Sequence, residues 1–274
     1  MILTNLGILV RIISNSYLNV FQKLLTNKGQ NSSVVNFYTY LGLSVVGLMF
    51  CGNVFGILSK ELLQNVLIMG FLGACGNYFI IKALSVGELS TLAPINSYKP
   101  IVALIVAFFY LKEIPSLNCF LGVLLIILGT FLLNEFCIKN KFAVFYRILA
   151  LIFSGTEAVF IKKVIILSNS WHAFIYWAIS GFIFSAILLI FAKHIPKLVN
   201  YKLQLGLILT VGIMQYTTNY VFERMQVSYA LALFQLSTLL SVFIGANIFK
   251  ETGLCRKLVA SFVMIAGATV IILS

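Results

Sequence analysis

The sequence predicts an all-α polytopic membrane protein with ten transmembrane helices, arranged as two inverted five-helix repeats. Of its 274 residues, 61% are hydrophobic and only 9% are charged, with a mean hydropathy of +1.05, whereas charged residues make up about a quarter of soluble domains. The apolar runs are continuous rather than alternating, which excludes a membrane β-barrel. A pattern of polar residues in the first half also recurs about 140 residues later, which is typical of transporters.

The apolar runs define the individual helices. A helix needs roughly 20 mostly apolar residues to cross a bilayer. Ten stretches meet this requirement, at about 5–25, 34–57, 63–84, 89–111, 117–134, 142–166, 171–192, 203–226, 228–249 and 255–273.

The recurring pattern divides the chain into two halves. Val20-Phe21-Gln22-Lys23 is echoed by Val159-Phe160-Ile161-Lys162, Asn77-Tyr78 by Asn219-Tyr220, and Lys112-Glu113 by Lys250-Glu251. The hydrophilic connection 134–141 lies between the halves, so we expect repeats at 1–136 and 137–274. Because each repeat holds an odd number of spans, the second must enter the membrane from the opposite side.

The formal net charge is +12, but most basic residues stand where an apolar run ends. This placement indicates helix-end anchoring in the lipid bilayer rather than nucleic-acid binding. The five cysteines and two histidines show no metal-ligand spacing, so we expect no metal and no cofactor.

Two segments resemble a known transporter family. The stretch from Lys82 to Pro100, followed by Leu111-Lys112-Glu113, resembles the first-half signature of EamA-type carriers in the drug/metabolite transporter superfamily. The stretch from Ser228 to Thr238 is similar to the second copy. The resemblance implies a ten-helix carrier of small metabolites, with helices 1, 3, 4, 6, 8 and 9 around a central cavity and helices 5 and 10 at the periphery.

The orientation in the membrane receives two opposed signals. The connections after the odd-numbered helices hold most of the Lys and Arg residues, which favours termini outside the cell. The resemblance implies termini in the cytoplasm. We expect a multi-pass protein of the plasma membrane with cytoplasmic termini.

Lys99 is the sharpest candidate for a functional charge. It falls within the fourth predicted helix, between Pro94 and Pro100, each of which removes a backbone donor and frees a carbonyl group. A cation beside an interrupted helix suits an anionic substrate group. The alternative is a lysine held in a permanent ion pair that only packs the bundle.

Glu157 is the acidic counterpart, in the interior of the sixth predicted helix. A buried carboxylate can couple transport to protons, or it can be the fixed partner of Lys99 or Lys23. Both interpretations stay open.

Amide and aromatic side chains form the remaining candidate substrate site. They lie inside predicted spans, and several of them are spaced so that they fall on one face of a helix. Such groups either line a cavity or join helices by hydrogen bonds. The candidates are Asn15, Asn19, Asn77, Tyr78, Asn96, Tyr216, Asn219, Tyr220, Gln235 and Thr238.

Together these features favour a secondary carrier that works by alternating access as a monomer or homodimer. The chain has no nucleotide-binding loop, and seven acidic residues without a dyad argue against an enzyme. A channel or a structural subunit fits the repeat poorly. Export of an amino-acid-like or amphipathic compound is the first expectation, with proton coupling as an option. Uptake or exchange of an anionic metabolite is the alternative.

Overall fold

The computed structural model describes residues 2–50, 59–87, 89–92, 94–114, 116–133, 140–193 and 195–237, together with 240, 244, 259, 262–267 and 270. Within these residues all regular structure is helical. The α-helices are α1 Ile2–Asn27, α2 Ser32–Met49, α3 Lys60–Val86, α4 Leu89–Leu92, α5 Lys99–Tyr110, α6 Leu117–Leu133, α7 Lys141–Leu167, α8 Ser170–Phe191, α9 Tyr201–Phe222 and α10 Val227–Phe234.

The described helices overlap most of the predicted spans. Four of them, α2, α3, α7 and α8, are long and apolar enough to cross a membrane, which makes the chain a multi-pass membrane protein. Most of the tenth predicted span, the connection 134–139 and the Lys250-Glu251 pair lie outside the described residues.

Asparagine and serine side chains determine where several helices begin. Each of them accepts a hydrogen bond from a backbone N–H of the first turn, which otherwise has no acceptor inside the helix. These N-caps are Asn31 for α2, Ser59 for α3, Asn140 for α7, Asn169 for α8 and Asn200 for α9.

The fourth predicted helix is interrupted. A 3₁₀ segment, Pro94–Tyr98, separates α4 from α5. Lys99 is therefore the first residue of α5 rather than a mid-helix residue, and Pro100 occupies the first turn, where no N–H is required. The two prolines thus explain both the break and the restart.

Contacts between helix ends fix the direction of each helix. At one end of the bundle, here called the first end, Lys23 of α1 and Asn140 at the start of α7 both reach the last turn of α3. At the opposite, second end, Lys163 near the end of α7 forms a 2.8 Å ion pair with Glu61 at the start of α3. Helices α3 and α7 are therefore antiparallel.

Helix α9 runs against α1. Gly7, near the start of α1, packs against Tyr220 near the end of α9, whereas Phe21 packs against Gly206 near the start of α9. The C-terminus of α9 consequently lies at the second end, beside the C-terminus of α7.

A lysine caps a helix C-terminus at each end of the bundle. Lys23 Nζ donates to the carbonyl oxygens of Leu84 (2.6 Å) and Gly87 (2.7 Å). Lys162 Nζ donates to those of Phe222 and, at 3.3 Å, Met225. The cation satisfies carbonyl groups that have no intrahelical donor and complements the negative end of the helix dipole.

An acidic residue holds the next helix at the second end. Glu113 Oε2 accepts a 3.1 Å hydrogen bond from Val227 N, the first N–H of α10. Burial raises the pKa of this carboxyl above its ordinary value, although the Val227 bond and the Lys162 charge oppose the shift. The connection between α9 and α10 is thus held by Lys162 on one side and Glu113 on the other.

We predict that Lys162→Met and Lys23→Met each lower the stability of the fold by about 1–3 kcal/mol, because each leaves carbonyl groups without a charged donor. Thermal unfolding of the purified protein in detergent measures the change. Lys28→Met, at an exposed lysine, is the matched control and should leave the midpoint unchanged. Equal midpoints for all three variants would contradict the capping role.

Candidate functional site

A cavity of about 100 Å³ lies between α1, α3, α5, α7, α9 and α10, with Tyr40 of α2 and Trp177 of α8 completing its wall. These helices include the six predicted spans that the family resemblance places around a central cavity. Seven of the predicted site residues line it: Asn15, Asn19, Asn77, Asn96, Lys99, Glu157 and Gln235.

The predicted aromatic residues do not line this cavity. Tyr78 accepts a hydrogen bond from Lys82, Tyr220 lies under the guanidinium of Arg224, and Tyr216 packs against Trp171. Adjacent residues on a helix point about 100° apart. Asn77 lines the cavity, whereas Tyr78 points toward Lys82 and Phe79.

The other predicted residues have different positions. Asn219 lies behind the cavity wall, where its Oδ1 accepts a 2.9 Å hydrogen bond from Gln215. Lys23 caps α3 at the first end and is not paired there with Glu157. Thr238 lies outside the described residues.

Arg11 is a cavity residue that the sequence reasoning missed. Its side chain is 93% buried, with an exposed fraction of 7%. Arg11 Nε donates a 2.6 Å hydrogen bond to Thr218 Oγ1, and its guanidinium lies 4.8 Å from the centre of the Phe234 ring. Nη1 is buried and has no hydrogen-bond acceptor among the described residues. The protein therefore orients this guanidinium without placing a described carboxylate against it.

Arg147 is the second cation that was missed. It is 6% exposed, and its Nε donates a 3.1 Å hydrogen bond to the carbonyl oxygen of Leu92, the last residue of α4. That carbonyl is available because the helix breaks immediately afterwards. Arg147 thus joins α7 to the interrupted segment and carries its charge into the cavity.

Both arginines had a signal in the sequence. Arg11 follows Ile8-Leu9-Val10, and Arg147 precedes Ile148-Leu149-Ala150, so each stands within a membrane-length apolar run. Charged residues at membrane depth are costly and mark functional sites.

Lys99 and Glu157 face the same cavity and interact electrostatically across it. In the described part of the chain, no ion pair within 4.0 Å joins them. Glu157 Oε1 instead accepts a 2.6 Å hydrogen bond from Trp177 Nε1. Neither charge is therefore bound up in a direct contact with the other.

Most of the amides are held by hydrogen bonds that join helices. Gln22 Nε2 donates to Asn77 Oδ1 at 3.0 Å, and Asn77 Nδ2 donates to Asn36 Oδ1 at 2.7 Å. Asn15 Nδ2 donates to Ser237 Oγ at 2.9 Å. The Asn19 amide differs, because it makes no hydrogen bond to any described residue although it lines the cavity.

The described lining thus contains three cations, Arg11, Lys99 and Arg147, and one carboxylate, Glu157. Full ionisation gives the cavity a net charge of about +2. Buried charges of this kind are costly unless a counter-charge or water stabilises them.

This architecture defines a class: a multi-pass membrane protein built around a charged central cavity. Residues 2–135 match the EamA-like transporter family, so this part of the chain belongs to that family. The match covers just under half of the chain, and it relates this half to the membrane transporters of that family.

Two further comparisons are consistent with this placement. A solved crystal structure, described only as that of a protein, superposes with a TM-score of 0.74, covering 98% of this chain and 97% of its own at 16% identity. An uncharacterized protein of Methanocaldococcus jannaschii is 26% identical over 104 residues, or 35% of this chain and 75% of that protein. The structural likeness supports the fold.

A glycine keeps the Glu157 carboxylate in place. A Cβ added at Gly73 would overlap Glu157 Oε1 and stand 3.1 Å from the Tyr40 hydroxyl. Gly73→Ala should therefore displace the carboxylate from Trp177 and shift the tryptophan emission, measured in a Trp171→Phe background that leaves Trp177 as the only reporter. Gly212→Ala, whose Cβ would meet only the end of the Leu43 side chain at 3.1 Å, is the control. The same emission from both variants would contradict the assignment.

Proposed function

We propose that the chain is a secondary carrier that moves small organic anions through its central cavity by alternating access. The observation that carries this proposal is the excess of cations in the cavity, where Arg11, Lys99 and Arg147 face the single carboxylate of Glu157. The geometry thus favours an anionic metabolite, the second of the two substrate classes expected from the sequence.

The energetic argument rests on the missing counter-charges. A charged side chain at membrane depth costs several kcal/mol unless it is paired or hydrated. Arg11 and Arg147 each use Nε for a bond to the protein. A carboxylate or phosphate would accept bidentate hydrogen bonds from the remaining guanidinium nitrogens. The anion thereby supplies the negative charge that the two arginines lack within the protein.

Inverted repeats would provide the two alternating states. The lysine caps support this arrangement, because Lys23 with Leu84 and Gly87 corresponds to Lys162 with Phe222 and Met225 at offsets of 138 or 139 residues. The two caps lie at opposite ends of the bundle, as an inverted duplication requires. We therefore propose repeats at 1–136 and 137–274 that rock against each other around the cavity.

A second candidate follows from Glu157. An amino-acid-like substrate has a cationic ammonium group as well as a carboxylate, and the Glu157 oxygens could accept hydrogen bonds from that ammonium. Outward transport coupled to protons would then use the same carboxylate as the proton carrier. This candidate requires a zwitterion to bind more tightly than the matching acid without an amino group.

We predict that small carboxylates and organic phosphates raise the melting temperature of the purified protein, because a ligand of the folded state stabilises it by about 2.7 kcal/mol at one hundred times its Kd. Arg147→Gln should abolish most of the shift, and Lys28→Gln, an exposed control, should not. Amino acids, nucleosides and polyamines form the comparison panel.

Two results would contradict the anion proposal. Stabilisation by polyamines but by no acid would reverse the charge assignment. Stabilisation by zwitterionic amino acids alone, lost in Glu157→Gln, would favour the second candidate.

For orientation, we propose a plasma-membrane protein with both termini in the cytoplasm, as the family resemblance suggests. The exposed lysines Lys28, Lys141, Lys193 and Lys197 cluster at the first end, away from the start of α1, and the positive-inside rule alone predicts the reverse. A cysteine-reactive, membrane-impermeant label tests the proposal in intact cells. A cysteine at Lys28 should react from outside, and labelling only after lysis would place the first end in the cytoplasm and contradict it.

A further inference from the structure

We infer that the transported anion carries two acidic groups at opposite ends of the molecule, such as a dicarboxylate or a phosphorylated carboxylate. The inference rests on the proposed function and specifies its substrate class. It is based on where the two arginines lie, how each is held, and how the remaining charges of the cavity balance.

The arginines lie at different depths of the cavity. Asn140 lies at the first end, where its Nδ2 donates a hydrogen bond to the carbonyl oxygen of Val86. Arg147 comes seven residues later in α7 and is therefore about 10 Å from that end. Arg11 is twelve residues before Lys23, which caps α3 at the first end, and is about 18 Å from it. Arg11 also bonds to Thr218, one turn before the Phe222 carbonyl at the second end.

The direction of the side chains widens this separation. In a helix the Cα–Cβ bond is tilted toward the N-terminus. The N-terminus of α1 is at the second end and that of α7 at the first, so Arg11 and Arg147 extend away from each other. Their guanidinium groups are consequently separated by roughly 10–15 Å along the bundle. One carboxylate cannot contact both.

Each arginine is fixed to the protein through one guanidinium nitrogen. Nε is committed to Thr218 Oγ1 in Arg11 and to Leu92 O in Arg147. Among the described residues, Arg11 Nη1 has no acceptor although it is buried, and no hydrogen bond is formed by the terminal nitrogens of Arg147. Both side chains line the same cavity and keep terminal nitrogens that have no acceptor among the described residues.

Charge balance indicates the same ligand. Lys99 and Glu157 line the same cavity as the two arginines. The Lys99 and Glu157 charges offset each other, which leaves one positive charge at each end. A dianion makes the occupied cavity neutral, whereas a monoanion leaves one buried arginine uncompensated.

Polar groups in the middle suit the body of such a ligand. The Asn19 amide makes no hydrogen bond to the described residues and is available for a hydroxyl or amino substituent. Asn15 lines the same wall, and its Nδ2 donates a hydrogen bond to Ser237 Oγ. An anion with two acidic groups would thus be bound at both ends by the arginines, and the polar groups between them would contact its middle.

Binding of two ligand series to the purified full-length protein tests the inference. The probes are unbranched α,ω-dicarboxylates of three to nine carbons and the monocarboxylates of the same lengths, compared by calorimetry. We expect one dicarboxylate length to bind at least tenfold more tightly than its monocarboxylate and than the shortest dicarboxylate. Arg11→Gln and Arg147→Gln should each remove that advantage. Arg224→Gln, at an arginine outside the cavity lining, should preserve it.

The outcomes separate the inference from the function on which it rests. If monocarboxylates bind as tightly as dicarboxylates of every length, the carrier remains an anion carrier and the ligand with two acidic groups is wrong. If no acid of either series and no organic phosphate binds, the proposed function fails as well. The length comparison uses the unaltered protein, so it stands even where an arginine variant does not fold.

Discussion

The structure depends on one constraint, the high cost of an unsatisfied charge or backbone group inside a bilayer. Arg11 and Arg147 are buried at this depth and yet lack carboxylate partners among the described residues. Each is tolerated because its Nε is bound to the protein and its side chain lines a polar cavity. The anchors hold the positive charge in place, and the cavity leaves room for its counter-ion.

The helix interruption serves the same constraint. The break between α4 and α5 frees backbone carbonyl groups, which would be intolerable against lipid. Arg147 takes the carbonyl of Leu92, and Lys99 begins the restarted helix beside the cavity. Irregular backbone and buried cations therefore stabilise each other, since one provides acceptors and the other provides donors.

The sequence predicted the helical class, most of the helix positions and the break near Pro94 and Pro100, because apolar run length and proline act locally along the chain. It also selected Lys99 and Glu157, whose charges stand out in apolar helices. It could not show that the two charges avoid a direct contact, since that depends on how α5 packs on α7. The aromatic candidates Tyr78, Tyr216 and Tyr220 do not line the cavity, because the helix face that points inward depends on how the helices pack.

Arg11 and Arg147 line the cavity but were not predicted as site residues. Their positions inside apolar runs were visible, but a basic residue near a helix end and one facing a cavity share the same sequence pattern. Only the bonds to Thr218 and Leu92 distinguish them.

The lysine caps have a consequence for the host membrane. Helix ends normally need water or headgroups to satisfy their last carbonyl groups, but Lys23 and Lys162 satisfy them from within the protein. Asn140 and Lys162 mark the two ends along α7 and are about 33 Å apart, slightly more than a typical hydrocarbon core of about 30 Å. The distance between the two caps therefore matches a bilayer of ordinary thickness, with little hydrophobic mismatch.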